Sequence, residues 1–196
     1  MQQAAAAGVA LADSPLTPSA VELLAPEPRL LVRFETTERA AAHMAASAEA
    51  LLAGTGSDVV TLDPAAEERA WREHAQLEAR GDGMHAAVSV LPSAAPGTLE
   101  TVATLAARCG LTWSATGRVA IGLLRVCVAG EPEAQRQFNA ALRTTVGQGG
   151  HVQLSGGGQL PAEDSWNPMG SAGGVALAVK QQFDPRGVLP YAWSRN

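Results

Sequence analysis

Arg125 stands inside an otherwise apolar run, Leu123-Leu124-Arg125-Val126-Cys127-Val128. A guanidinium in such a stretch is a candidate carboxylate binder, because its planar fork can pair bidentately with a carboxylate. The alternative is a structural pair with a Glu or Asp, or an edge position. His151 follows Gly149-Gly150 at the start of a short apolar run, where it can reach a cleft. The alternative there is a solvated or core-edge histidine. His43, His74, His85 and His151 show no His-x-x-x-His spacing, so a metal site is not expected. Cys109 and Cys127 are too few for a disulfide framework or a thiolate metal site. Both read as packing residues in a reducing compartment. No Gly-x-Ser-x-Gly elbow occurs, and nothing in the spacing positions a Cys/His nucleophile.

Two glycine clusters, Gly147–Gly150 and Gly156–Gly158, flank one short strand. A phosphate cradle needs strand, glycines and then a helix N-terminus, so that backbone N–H groups aim at the anion. The order here is helix, glycines, strand, so these are helix-stop and loop glycines. The run Gly170-Ser171-Ala172-Gly173-Gly174 does precede a helix and is the weaker candidate for an anion.

The elements that must position these residues follow from periodicity and breakers. Residues 1–12 read as an alanine-rich helix. Residues 18–25 read as a short apolar element of helical type. Leu30–Glu35 is the first strand. A helix over 38–53 follows, capped by Thr36 or Thr37 and ended by Gly54 and Gly56. Asp58–Leu62 reads as a second strand. Asp63 caps a helix that starts at Pro64 and ends near Gly81. Met84–Leu91 is a third strand, and 98–109 a helix stopped by Gly110. Leu111–Ala115 and Arg118–Val128 read as a hairpin turning at Gly117. Glu131–Val146 is a helix, His151–Leu154 a strand, and a last helix lies near 172–183. The order predicts an α+β fold of the ferredoxin-like type, an antiparallel or mixed sheet with helices on one face. A doubly wound parallel sheet ranks lower, because 111–115 and 118–128 are joined too tightly for a parallel crossover. The expected organisation is a helical lead-in over 1–28, an α+β domain over 29–155, and a tail over 156–196 packed on that domain.

Composition narrows the function classes. The net charge is −5, with 14 Lys+Arg against 19 Asp+Glu, so no electrostatic footprint for nucleic acid is present. Lys180 is the only lysine, and no polybasic membrane patch exists. No apolar run is long enough for a membrane span. The start, MQQAAAAGVALA, lacks the positive region of a signal peptide. A cytoplasmic chain is expected, and its abrupt helical start suggests a piece of a larger architecture.

The stretch Lys180-Gln181-Gln182-Phe183-Asp184-Pro185-Arg186-Gly187-Val188-Leu189 resembles the C-terminal signature of the FAD-linked oxidases, the vanillyl-alcohol-oxidase-like flavoproteins. Leu16–Leu24, Leu31–Glu35, Trp71-Arg72-Glu73-His74, Val88–Ser93 and Gly122–Val126 are similar, in the same order, to pieces of their cap domain, most closely the E subunit of glycolate oxidase. After Leu189 the family's Asn-Pro-Gly is replaced by Pro190-Tyr191-Ala192.

The resemblance implies a cap of ferredoxin-like type that shapes the substrate side of a flavin. FAD itself would be held by a separate FAD-binding domain or partner subunit, and the substrate would be a small 2-hydroxy acid such as glycolate. On this reading Asp184, Pro185 and Gly187 shape the cofactor-side turn, and Arg125, His151 and Lys180 lie near substrate. The chain alone would not be catalytic. Two rivals remain: a non-catalytic ferredoxin-like assembly domain of a multi-subunit complex, and an independent small-molecule enzyme using Cys or His.

Overall fold

A computed structural model describes residues 1–55, 57–78, 83–155 and 172–189. The chain order is α1 (Gln2–Ala12), β1 (Ala20–Ala25), β2 (Arg29–Arg33), α2 (Glu38–Leu52), α3 (Pro64–Glu78), β3 (Met84–Val90), α4 (Ala95–Cys109), β4 (Thr112–Arg118), β5 (Leu123–Ala129), α5 (Pro132–Val146), β6 (Gly150–Ser155) and α6 (Ala172–Phe183). The six strands form one sheet in the order β2-β1-β4-β5-β3-β6, and every neighbouring pair is antiparallel.

From β3 to β6 the chain runs β-α-β-β-α-β, with β5 inserted between β3 and β4, and β3 between β5 and β6. That is the ferredoxin-like arrangement of two interlocked split β-α-β units. The β1–β2 hairpin extends the sheet on the β4 side.

The alternation along each strand decides what each face meets. Met84, Ala86 and Val88 of β3, Leu124, Val126 and Val128 of β5, and Val152 and Leu154 of β6 are all buried. They pack with Leu99, Val102 and Leu105 of α4 and with Phe138 and Leu142 of α5 in one cluster. Burying each of these large side chains contributes roughly 1.5–3 kcal/mol before the ordering entropy is subtracted. A smaller cluster joins Ala7 and Leu11 of α1 to Ala48 and Leu52 of α2.

The local signals behave as their chemistry requires. Asp63 Oδ1 accepts the Ala66 N–H at 2.8 Å and caps α3. Gly110 takes a left-handed conformation (φ 65°) and ends α4.

Three expectations are corrected. Residues 20–25 form a central-side strand, β1, rather than a helix. The run Val-Glu-Leu-Leu has good helix propensity, but β1 is sandwiched between β2 and β4 and covered on both faces, and that tertiary environment overrides it. The lead-in therefore supplies a strand to the sheet, and a boundary at 28 cuts the β1–β2 hairpin.

Asp58–Leu62 is not a strand. The segment has β-branched residues but no ladder partner. Val60 is 73% exposed, and Thr61 ties the segment to α2 through a hydrogen bond to Glu49 Oε1 at 3.0 Å. The β-α-β pass expected over 30–62 is absent with it.

The hairpin turns at Val119–Gly122 instead of Gly117, so β4 continues through Gly117 to Arg118. Gly117 sits against β5, where a Cβ would meet the Leu124 side chain at 2.6 Å. The residue that needs to be glycine is Gly122. Its φ is +68°, and a Cβ there would lie 1.8 Å from the Val90 carbonyl oxygen. Gly122→Ala is expected to destabilise the protein by about 2–4 kcal/mol, from left-handed strain plus backbone displacement. Urea unfolding monitored by circular dichroism checks this, with Gly97→Ala, where nothing lies within reach of a Cβ, as the mild control.

Candidate functional site

The second face of the sheet is covered unevenly. α3 lies across its β1–β2–β4 end. Trp71 of α3 packs under the Arg33 guanidinium, 4.5 Å from the ring centroid, and meets His74 edge-on at 5.8 Å. Arg33 Nε donates to Glu67 at 2.9 Å, and Arg29 reaches Glu73 at 3.4 Å.

Beneath α3 sits a carboxylate, Glu22 of β1, only 6% exposed. Arg118 Nε donates to Glu22 Oε1 at 2.9 Å. His74 Nε2 lies 3.5 Å from Glu22 Oε2, within ion-pair range but too long for a good hydrogen bond. One buried carboxylate thus links β1, β4 and α3.

The remainder of this face, over β5, β3 and β6, carries a polar grid fixed by register. Leu123, Ser89 and His151 stand in one row. Arg125, Ala87 and Gln153 form the next, with Thr116 of β4 on the other side of Arg125. Cys127 and His85 are opposite each other in the third, with Ser114 beyond Cys127. Arg125 and Ser89 are exposed, and His85, Cys127, His151 and Gln153 are half-buried. Among the described residues of β3, β5 and β6, no carboxylate stands on this face, although the chain as a whole is acidic. The structure therefore brings Arg125 and His151 onto one surface, one strand apart.

Lys180 belongs to a different feature. Its ammonium pairs with Asp184 and donates to the Leu189 carbonyl at 2.8 Å. Asp184 in turn accepts the Val188 and Leu189 N–H groups at 2.8 and 2.9 Å. Gly187 has φ +64° and donates its N–H to the Asp184 carbonyl at 3.0 Å. The motif Lys-x-x-Phe-Asp-Pro-x-Gly is thus a self-closed turn after α6, with Pro185 inside it. Both Asp184 oxygens are engaged by their own chain, which makes Asp184, Pro185 and Gly187 shapers of the turn.

The first glycine cluster closes α5 and leads into β6. Gly147 has φ +42°, and a Cβ on Gly150 would lie 2.5 Å from the Ser89 carbonyl. Gly156–Gly158, Gly170, Ser171 and the segment after Leu189 lie outside the described residues. Among the described residues, no three His, Cys, Asp or Glu side chains gather as a metal site would require. No described helix is long and apolar enough to cross a membrane.

Two groupings were not visible in the sequence. Glu22 lay in a run read as helical, and its partners His74 and Arg118 are 52 and 96 residues away. The one available signal was a carboxylate inside an apolar hexamer. Cys127 and His85 look like isolated residues until the β3–β5 register sets them side by side. Their Sγ and Nε2 atoms are 3.9 Å apart.

No protein-family model matches this chain, and no curated protein matches it.

The Glu22 tether generates a stability prediction. Glu22→Ala leaves His74, 8% exposed, facing no carboxylate. The expected loss is about 2–3 kcal/mol. Arg118→Ala should cost less than about 1 kcal/mol, because the Arg118 side chain is 64% exposed. Chemical denaturation of both variants checks the ordering.

Proposed function

We propose that this chain is the substrate-side cap of an FAD-linked oxidoreductase acting on a small 2-hydroxy acid such as glycolate. The observation that carries the proposal is the polar surface of β5, β3 and β6, which bears no carboxylate among the described residues of those strands, with Arg125 on β5 and His151 and Gln153 on β6. A guanidinium held on a strand gives a carboxylate two parallel donors at a fixed angle. His151 and Gln153 offer further polar atoms from β6, within the same surface. The sequence resemblance and the ferredoxin-like fold both support the reading.

The residues fit a wall beside a flavin better than a flavin's own seat. Gly147–Gly150 join a helix end to a strand, so their N–H groups are not arrayed at a helix N-terminus where a pyrophosphate would be held. The Asp184 turn is closed on itself. FAD on this reading is bound by a partner domain or subunit, and when bound it supplies the hydride-accepting chemistry. This chain's residues bind the carboxylate, orient the hydroxy acid and exclude water from one side. The cytoplasmic location belongs to the same proposal.

A second reading, an assembly domain without chemistry, is favoured by one feature. Val175, Leu177, Val179 and Phe183 of α6, with Val188 and Leu189 of the turn, are all exposed apolar side chains. They suit burial against another subunit.

Two measurements separate the readings. The purified chain should be colourless and take up no FAD that survives gel filtration. Calorimetric titration with glycolate should show weak binding that falls by about tenfold or more in Arg125→Gln, as expected for loss of a charge-assisted pair. Glycolate binding that is absent, or indifferent to Arg125→Gln, would favour the assembly reading. A tight flavin band on the chain alone would overturn the cap reading.

A further inference from the structure

We infer that Cys127 and His85 form a hydroperoxide-reactive thiol site on the face of the sheet opposite α4 and α5. The two residues stand directly opposite each other on β5 and β3. Cys127 Sγ lies 3.9 Å from His85 Nε2, at the long end of a sulfur hydrogen bond. Both are half-buried, so the thiol is reachable by a small reagent yet held by its strand. Arg125 lies two residues along β5 on the same face. Ser114 flanks Cys127 from β4.

This inference stands on the cross-strand geometry and does not depend on the cap reading. The other cysteine provides a contrast within the same chain. Cys109 ends α4 and packs against the apolar core.

The chemistry is a two-electron oxidation in which the oxidant is a hydroperoxide. The Cys127 thiol proton passes to His85 Nε2 as sulfur attacks the terminal peroxide oxygen. The S–O bond forms and the O–O bond breaks. Sulfur becomes a sulfenic acid, and the peroxide is reduced to water or an alcohol after taking up a proton, which His85 can return. The sulfenic acid is the reversible first step of thiol oxidation, restored by an added thiol.

The test uses the full chain, hydrogen peroxide as oxidant and dimedone as the trap, with peptide mass spectrometry reading each cysteine separately. Cys127 is expected to be trapped at least about tenfold faster than Cys109. His85→Gln is expected to slow Cys127 by about fivefold or more and to flatten the pH dependence of its rate. Cys109 should be unaffected in that variant, whose far-UV circular dichroism confirms the fold. Equal trapping of the two cysteines in the native chain would overturn the inference. So would an unchanged Cys127 rate in a folded His85→Gln protein. The comparison within the native chain decides the matter even if the variant fails to fold.

Discussion

The rest of the structure depends on how the two faces of one antiparallel sheet are covered. A six-stranded sheet must bury at least one face to be stable, and α1, α2, α4 and α5 supply that cover through the two apolar clusters. On the second face, among the described residues, the helix that packs is α3. That helix is drawn to one end by a buried carboxylate, Glu22, shared between His74 and Arg118, with Trp71 stacked on Arg33 beside it. A charge so deeply placed has to be met by partners, which fixes where α3 can lie. Beyond α3 lies the surface over β5, β3 and β6. Its polar side chains are the ones an antiparallel strand turns toward solvent when the opposite face is packed.

The proposed chemistry follows from that asymmetry. Arg125 and His151 are presented on a rigid ladder, so their spacing is set by hydrogen bonds between strands and not by loops. The described residues of β3, β5 and β6 put no carboxylate on this surface in a chain of net charge −5, and that local imbalance favours an anionic ligand. The terminal Phe-Asp-Pro turn plays a different part. Within it, Lys180, Asp184 and two backbone N–H groups satisfy one another. The apolar side chains around it remain exposed and suit a partner's surface.

The unit from β3 to β6 was legible in the sequence because its signals are local. Alternating apolar residues marked the strands, Gly110 stopped α4, and Pro132 and Glu133 opened α5. The tight link between β4 and β5 ranked a parallel sheet lower, because so short a connection cannot make a parallel crossover. What was hidden depended on pairing between distant segments. Val21–Ala25 reads as helix until two strands enclose it. Asp58–Leu62 reads as strand, yet no sheet edge meets it. Arg125 and His151 were visible as unusual residue types in apolar runs. Their sharing of one face, and the contact of His85 with Cys127, came only from the register of β3 against β5 and β6. Lys180 resembled a substrate-side group from its motif, and the turn geometry shows where its ammonium is engaged.

The most direct test of the account is to locate the ligand on the protein. Backbone amide shifts of isotope-labelled chain would be followed by NMR during titration with glycolate. The account predicts that shifts concentrate on β3, β5 and β6 around Arg125, His151 and Gln153, while β2 and the separate groove lined by Ala6 of α1, Pro96 and Thr101 of α4 and Thr145 of α5 stay still. Shifts confined to that groove, or to the β1–β2 end beneath α3, would contradict it.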